Sequence, residues 1–158
     1  MKREFLNCLF IFLLVPVVSY CQEGTIAIDG SCSHFNYITE MTVDINESFS
    51  DINELGFSIQ FDAEKLEYVN CFSEELEPDG GWDTFTCTVT NPGELTVYAF
   101  SENSSIEGGS TGNLMALEFC LTWSSGVQGD TTPLSLSDLS YDLENFNALG
   151  GAVTVRDH

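Results

Sequence analysis

The chain has 158 residues, of which 25 are acidic and only 4 are lysine or arginine, giving a formal net charge of −21. So few cations exclude a protein that binds the phosphate backbone of nucleic acids, and they argue against docking on an anionic membrane. Because 43% of the residues are hydrophobic and 12% aromatic, we expect one folded domain with a buried core rather than a disordered chain.

Residues 1–21 are predicted to be a secretory signal peptide. A short basic start precedes the apolar run Cys8–Val18, which is too short for a comfortable membrane span. The small residues before Gln22 fit cleavage at that point. The alternative is a lipoprotein signal with Cys21 acylated, although Tyr20 stands where such signals carry a small residue. The sequence therefore predicts a secreted protein whose single domain spans residues 22–158.

Export would place the remaining cysteines in an oxidising compartment. Cys8 and Cys21 belong to the predicted leader, which leaves four cysteines in the domain: Cys32, Cys71, Cys87 and Cys120. An even number of cysteines in a secreted protein predicts two disulfides, with three possible connectivities. No pair has the close spacing that structural zinc sites favour, so we predict disulfides and no metal.

The rest of the chain consists of short alternating runs separated by turn residues. In Leu55–Asp62, for example, apolar residues alternate with Gly56, Ser58 and Gln60, which is the period of a strand with one buried face. No segment has a sustained helical period. The sequence thus predicts an all-β, nine-stranded antiparallel sandwich. Its strands are Thr25–Asp29, Met41–Asn46, Leu55–Asp62, Leu66–Cys71, Thr84–Thr90, Leu95–Phe100, Leu114–Trp123, Leu134–Leu139 and Ala152–Val155.

The sequence lacks the motifs of common catalytic sites. Outside the leader the only histidines are His34 and His158, so a serine or cysteine nucleophile would have little choice of base. The segments that begin at Asp44 and Asp51 start like calcium loops, but apolar residues replace the turn glycine and later ligands. A glycosidase-like pair of carboxylates would need an aromatic-lined cleft for which little chain remains. We predict no catalytic residue, cofactor or metal.

Several segments between Thr25 and Val155 carry a resemblance to a known family. They are Gly56–Asp62 with Lys65–Val69, Asn91–Glu102, Gly112–Leu121 and Gly150–Val155. In order and spacing they are similar to a cohesin domain, the module that binds dockerins in cellulosome-type assemblies. The resemblance implies a jelly-roll sandwich with its terminal strands side by side. It also implies a non-catalytic domain whose partner is a dockerin-bearing protein, such as one that degrades polysaccharides.

The resemblance also implies where the partner binds. In cohesins the dockerin contacts outward residues of the third, fifth and sixth strands of one sheet. The corresponding positions here, assigned by strand period, are Glu54, Gly56, Ser58, Gln60, Thr86, Thr88, Thr90, Val97 and Ala99, with Glu102 just beyond the sixth strand.

The same strand arrangement implies two disulfides. Cys32 follows the first strand and Cys120 ends the seventh, and in a cohesin-type jelly roll these ends lie on the same side of one sheet. Cys71 ends the fourth strand and Cys87 lies in the fifth, at the adjoining edge. The resemblance therefore implies the pairs Cys32–Cys120 and Cys71–Cys87.

A direct carbohydrate-binding module on a related sandwich is the alternative function. Such a module would present a flat row of exposed aromatic side chains to a polysaccharide. Trp82 follows a Gly-Gly turn and could be exposed, whereas Trp123 ends a core strand, and no row is evident in the sequence.

Overall fold

The computed structural model describes residues 24–48, 50–123 and 125–156, which form two β-sheets packed face to face. The predicted signal peptide and the possible lipidation of Cys21 lie outside these residues. Within the three described ranges there is no helix long and apolar enough to cross a membrane.

Eleven strands make up the two sheets. One sheet has the strand order β10-β1-β3-β8-β5 and the other the order β2-β11-β9-β4-β7-β6. The strands are β1 (Thr25–Ile28), β2 (Ser31–Ser33), β3 (Ile38–Asn46), β4 (Glu54–Phe61), β5 (Leu66–Ser73), β6 (Thr84–Asn91), β7 (Glu94–Phe100), β8 (Gly112–Leu121), β9 (Thr131–Tyr141), β10 (Asn147–Leu149) and β11 (Gly151–Val155). The predicted all-β sandwich is confirmed.

The strand count and the strand directions differ from the prediction. The nine predicted strands all have counterparts, and two three-residue strands, β2 and β10, are added. Most neighbours are antiparallel, but β1 pairs with β10 in parallel and β2 pairs with β11 in parallel. These pairs place the beginning and the end of the described chain side by side, as the cohesin resemblance implied.

The chain crosses from one sheet to the other at two adjacent points, and each of them contains glycine. Between β1 and β2 the crossing occurs at Asp29-Gly30, and between β10 and β11 at Gly150-Gly151. A Cβ atom on Gly150 would lie 2.3 Å from the carbonyl oxygen of Leu134, and one on Gly151 would lie 2.6 Å from that of Ile28. Since these contacts are with backbone atoms, only glycine allows so close an approach.

The inner sides of the two sheets form one hydrophobic core. Phe119 on β8 is fully buried and packs edge-to-face against Phe61 on β4, with ring centroids 5.1 Å apart, and against Tyr68 on β5 at 6.0 Å. Because β8 and β4 belong to different sheets, Phe119 connects the two layers.

A disulfide closes one open edge of the sandwich. Cys71 lies on β5, at the edge of the five-stranded sheet, and Cys87 lies on β6, at the edge of the six-stranded sheet. Their Cα atoms are 6.5 Å apart and their sulfur atoms are bonded. The predicted Cys71–Cys87 pair is confirmed.

The predicted Cys32–Cys120 pair is wrong, and both of these cysteines are free thiols. Cys32 lies on β2, because the chain has already crossed at Gly30 into the six-stranded sheet. Cys120 lies on β8 in the other sheet and is paired with Ile38, on the outer side opposite the core residue Phe119. The sequence pattern does not reveal this crossing and therefore places both cysteines in one sheet.

We expect the Cys71→Ala/Cys87→Ala double variant to lose about 3 kcal/mol of unfolding free energy, since the disulfide closes a loop of 16 residues. Denaturant unfolding followed by tryptophan fluorescence measures the loss. The Cys32→Ser variant is the matched control and should unfold like the parent protein. In peptide mapping without reduction, Cys32 and Cys120 should be alkylated, whereas a linked Cys32–Cys120 peptide would contradict the structure.

Candidate functional site

The outer side of strands β6, β7, β4 and β9 is a continuous sheet face rich in hydroxyl and aromatic side chains. The strands lie side by side in this order, and the register aligns Thr86 with Tyr98 and Tyr98 with Gly56. We call this surface the Thr/Tyr face. It comprises Thr84, Thr86, Thr88, Thr90, Thr96, Tyr98, Glu54, Gly56, Ser58, Gln60, Ser135, Ser137, Ser140 and Tyr141.

Strand β6 supplies the most exposed part of the Thr/Tyr face. Thr86, Thr88 and Thr90 are all exposed, as predicted. The Thr86 hydroxyl donates a hydrogen bond to the Tyr98 carbonyl oxygen at 3.4 Å, and the hydroxyl oxygens of Thr90 and Thr96 are 3.3 Å apart. The threonines are short and β-branched, so they lose little side-chain freedom when a partner covers them.

The prediction for β7 is wrong by one residue. Val97 and Ala99 were expected to face outward, but both are fully buried in the core with Leu95. Side chains alternate along a strand, so the outward residues are Thr96 and Tyr98. The sequence itself indicates which side of β7 faces the core, because the apolar residues Leu95, Val97 and Ala99 alternate with Thr96.

The predicted residues of β4 are on the outer side, but not all of them are accessible. Gln60 is exposed and Glu54 half-buried, whereas Gly56 and Ser58 are buried. A Cβ atom on Gly56 would lie 2.6 Å from Ser140 Oγ and 3.1 Å from a ring carbon of Tyr141. Gly56 therefore makes room for the side chains of β9 and offers no surface of its own to a partner.

Two tyrosines and a carboxylate form a small network above Gly56. The Tyr98 hydroxyl donates a hydrogen bond to Glu54 Oε1 at 3.0 Å. The Tyr98 and Tyr141 rings meet edge-to-face with their centroids 5.7 Å apart. Tyr141 has a φ of 58°, in the left-handed region, and its side chain is 51% exposed. The sequence prediction missed Tyr141 because it ended this strand at Leu139. The pairing of β4 with β9 is also irregular between Gly56 and Ser58, and the sequence does not indicate this irregularity.

This network changes the acidity of Tyr98. The hydrogen bond to Glu54, followed by partial burial and by the negative charge of Glu54, raises the pKa of Tyr98 above the ordinary value of 10.0. Deprotonation would remove the donated proton and place a second negative charge beside the carboxylate. The interaction therefore stabilises the fold below pH 10 and is lost as the pH rises through the higher, folded-state pKa.

We expect the Glu54→Gln variant to move the pKa of Tyr98 back toward its ordinary value. Ultraviolet titration of tyrosinate should show Tyr98 ionising late in the parent protein and earlier in the variant, whereas Tyr68, whose pKa is raised by burial, should ionise late in both. The Tyr98→Phe variant identifies the Tyr98 transition by removing it. An unchanged titration curve in Glu54→Gln would contradict the assigned hydrogen bond.

Carboxylates surround the end of the Thr/Tyr face where β4 begins and β7 ends. Glu102 is exposed just beyond β7, and its backbone N–H donates to Asp83 Oδ2 at 2.7 Å. The Asp142 carboxylate accepts hydrogen bonds from the backbone N–H groups of Asn53 and Glu54, at 2.9 and 3.0 Å. We call Glu54, Asp83, Glu102 and Asp142 the carboxylate rim. The predicted site residue Glu102 is thus adjacent to the face.

Neither tryptophan contributes to the Thr/Tyr face. Trp82 is half-buried and packs against the core. Trp123 is also half-buried, with Lys65 Nζ 4.3 Å from its ring centroid. The rings of Tyr98 and Tyr141 are inclined at 63° to each other. The Thr/Tyr face therefore has no flat aromatic row, and the carbohydrate-binding alternative is not supported.

Comparison with known proteins identifies the fold. No family model and no curated protein matches the sequence. Among solved structures, the sixth cohesin of scaffoldin B from Acetivibrio cellulolyticus, in complex with a Cel5 dockerin mutant, is 21% identical with a TM-score of 0.71. The match covers 84% of this chain and 99% of that one. The chain has the cohesin fold.

Two further solved structures show how widely this cohesin fold occurs. The OlpA cohesin of Clostridium thermocellum, in complex with Doc918, is 15% identical with a TM-score of 0.68, covering 84% of this chain and 99% of that one. A non-cellulosomal cohesin from the archaeon Archaeoglobus fulgidus is also 15% identical, with a TM-score of 0.65 and coverage of 85% and 92%. The cohesin fold is thus matched over nearly the full length of each of these structures.

Proposed function

We propose that this protein is a non-catalytic recognition module that binds a dockerin-type module of another protein through the Thr/Tyr face. The observation that carries the proposal is the cohesin fold, matched by solved cohesins that are themselves in complex with dockerins. Three of its four strands, β4, β6 and β7, are those that the cohesin resemblance assigned to the partner, and its threonines on β6 are exposed.

The shape of the Thr/Tyr face suits a protein partner. It is a broad sheet surface with exposed hydroxyl groups on β6, half-buried Thr96 and Tyr98 on β7, and the exposed ring of Tyr141 on β9. Tyrosine is enriched at protein interfaces, because its ring supplies contact area and its hydroxyl a hydrogen bond. Rigid strands hold these groups in fixed positions, so little ordering is needed when the partner binds.

We further propose that the protein acts outside the cell. The Cys71–Cys87 disulfide supports an oxidising compartment, and the apolar run near the N-terminus supports export. A partner carrying a dockerin would in turn link this module to an extracellular assembly, such as one that degrades polysaccharides. The Archaeoglobus fulgidus cohesin is described as non-cellulosomal, so the fold alone does not determine the kind of assembly.

Affinity chromatography tests the proposal directly. The full chain is immobilised, culture supernatant of the organism that produces it is applied, and retained proteins are identified by mass spectrometry. We expect proteins with a dockerin-type module on the parent column and not on a column carrying the Thr88→Arg variant. Binding to insoluble polysaccharide, with no dockerin-bearing protein retained, would contradict the proposal.

A further inference from the structure

Strand β6 is an edge strand without the features that usually prevent edge pairing. Within the described residues its backbone pairs with β7 alone, so every second residue directs its N–H and C=O groups away from the sheet. Thr84–Asn91 contains no charged residue, although 18% of the whole chain is charged. It also contains no proline, and its irregular pairing with β7 is confined to Val89–Asn91 at the end of the strand. This edge is therefore long and uncharged.

The other three edge strands of the described sheets are protected. β2 and β10 have three residues each, which is too short to offer much backbone to an added strand. β5 is longer, but it carries the exposed carboxylate of Glu67, and its pairing with β8 is irregular between Tyr68 and Asn70. Shortness, charge and irregular pairing are the usual means by which proteins block edge-to-edge association. Of these four edges, β6 is the one that stays open to an added strand.

The core side of β6 is incompletely covered. Val89 pairs with the buried Leu95 and lies on the same side of the sheet, yet 48% of its side chain is exposed. It borders a depression of about 310 Å³ that is lined mainly by apolar residues, among them Phe61 of β4 and Tyr68 of β5. The sandwich is open here between β5 and β6. An added strand would place its own core-side residues beside Val89 and cover this apolar surface.

The distribution of charge favours a second copy of this chain as the source of the added strand. With a net charge of −21, most of the surface of one copy repels another copy, but β6 contributes nothing to this repulsion. A basic or acidic segment of another protein would find no complementary charge on β6. Antiparallel pairing of β6 with itself instead brings exposed threonines opposite threonines, which is a favourable cross-strand pair.

We propose that two copies of this chain associate by antiparallel pairing of their β6 strands, which joins two six-stranded sheets into one continuous sheet. A two-fold axis perpendicular to the sheet relates the copies. The Thr/Tyr faces of both copies then lie on the same side of the joined sheet, so self-association leaves dockerin binding possible. The Cys71–Cys87 disulfide holds β6 against β5, so the edge is in position before pairing.

Analytical ultracentrifugation of the protein purified in its natural form measures the association. Because the interface is small, we expect monomers at about 0.01 mM and a mass approaching that of a dimer near about 1 mM. Association should strengthen as NaCl rises from roughly 0.05 to 0.5 M, because salt screens the repulsion between the acidic copies. A contact made through ion pairs would weaken instead.

Hydrogen exchange and matched variants locate the contact. Raising the protein concentration should slow exchange in Thr84–Asn91 and leave Ile38–Asn46 unchanged. The Thr86→Glu/Thr88→Glu variant places carboxylates opposite those of the second copy and should associate at least about tenfold more weakly. The control Thr42→Glu/Thr131→Glu adds the same charge on β3 and β9, away from the edge, and should associate like the parent protein at high salt.

Three results would overturn self-association through β6. The first is a protein that stays monomeric up to about 1 mM at high salt. The second is a dimer that the Thr86→Glu/Thr88→Glu variant forms as readily as the parent, or that protects segments other than Thr84–Asn91. The third is protection of β6 that appears only when a strand of another protein binds, which would assign the edge to that partner. Dockerin binding is tested separately by the affinity chromatography described above.

Discussion

Replacing Phe119 by alanine is expected to lower the free energy of unfolding by about 4 kcal/mol. The side chain is fully buried and contacts Phe61 and Tyr68 edge-to-face, so its removal leaves a cavity between the two sheets and removes two aromatic contacts. For a domain of this size the midpoint of thermal unfolding should fall by about 10 °C. Denaturant titration and calorimetry measure these changes.

The Phe72→Ala variant is the control for this prediction. Phe72 lies on β5 and pairs with Ala116 on the outer side, where 42% of its side chain is exposed. Its replacement removes the same atoms but creates no internal cavity, so we expect a loss below about 1 kcal/mol. Equal losses in the two variants would contradict the position of Phe119 at the centre of the core.

The second large effect is expected on binding. Thr88→Arg places a long charged side chain at the centre of the exposed β6 part of the Thr/Tyr face, next to Thr96. A large side chain in the middle of a complementary interface prevents close contact, and affinity for a dockerin partner should fall at least about a hundredfold. Isothermal titration calorimetry with the dockerin-bearing protein measures the change.

Thr42→Arg is the matched control for Thr88→Arg, since it makes the same substitution on the other sheet. Thr42 lies on β3, pairs with Ala116 and is half-buried on the outer side. The control should fold and bind like the parent chain. Loss of binding in both variants would contradict binding of the partner at the Thr/Tyr face.

Much of the architecture follows from hydrophobic alternation alone. Each of the nine predicted strands corresponds to a strand of the structure, because each has one side facing the core. The two missed strands, β2 and β10, have three residues each, which is too short for a period to be read. Their formation depends on tertiary pairing with β11 and β1, which local sequence does not encode.

The two errors at the level of single residues have separate physical causes. Cys32 was assigned to the wrong sheet because the crossing at Gly30 is determined by the close approach of the two sheets and not by a local pattern. Val97 and Ala99 were placed outward although the period of β7 buries them; a shift of one residue moves every side chain of a strand to the opposite side.

The composition of the site was predicted better than its geometry. The threonines of β6 and Glu102 lie where the cohesin resemblance placed them. The covering of Gly56 by Tyr141 was not foreseen, because it depends on a left-handed residue and on irregular pairing between β4 and β9. Such features arise from contacts between strands that are distant in sequence, and no short motif signals them.

Hydrogen exchange of the complex tests the central claim most directly. Strand β6 is an edge strand, so part of its backbone N–H groups face solvent in the free protein and should exchange quickly. When a dockerin-bearing partner binds, we predict slower exchange in Thr84–Asn91 and Glu94–Phe100, with no change in Ile38–Asn46. Protection confined to Ile38–Asn46 and Leu66–Ser73 would place the partner on the opposite sheet and contradict the proposed function of the Thr/Tyr face.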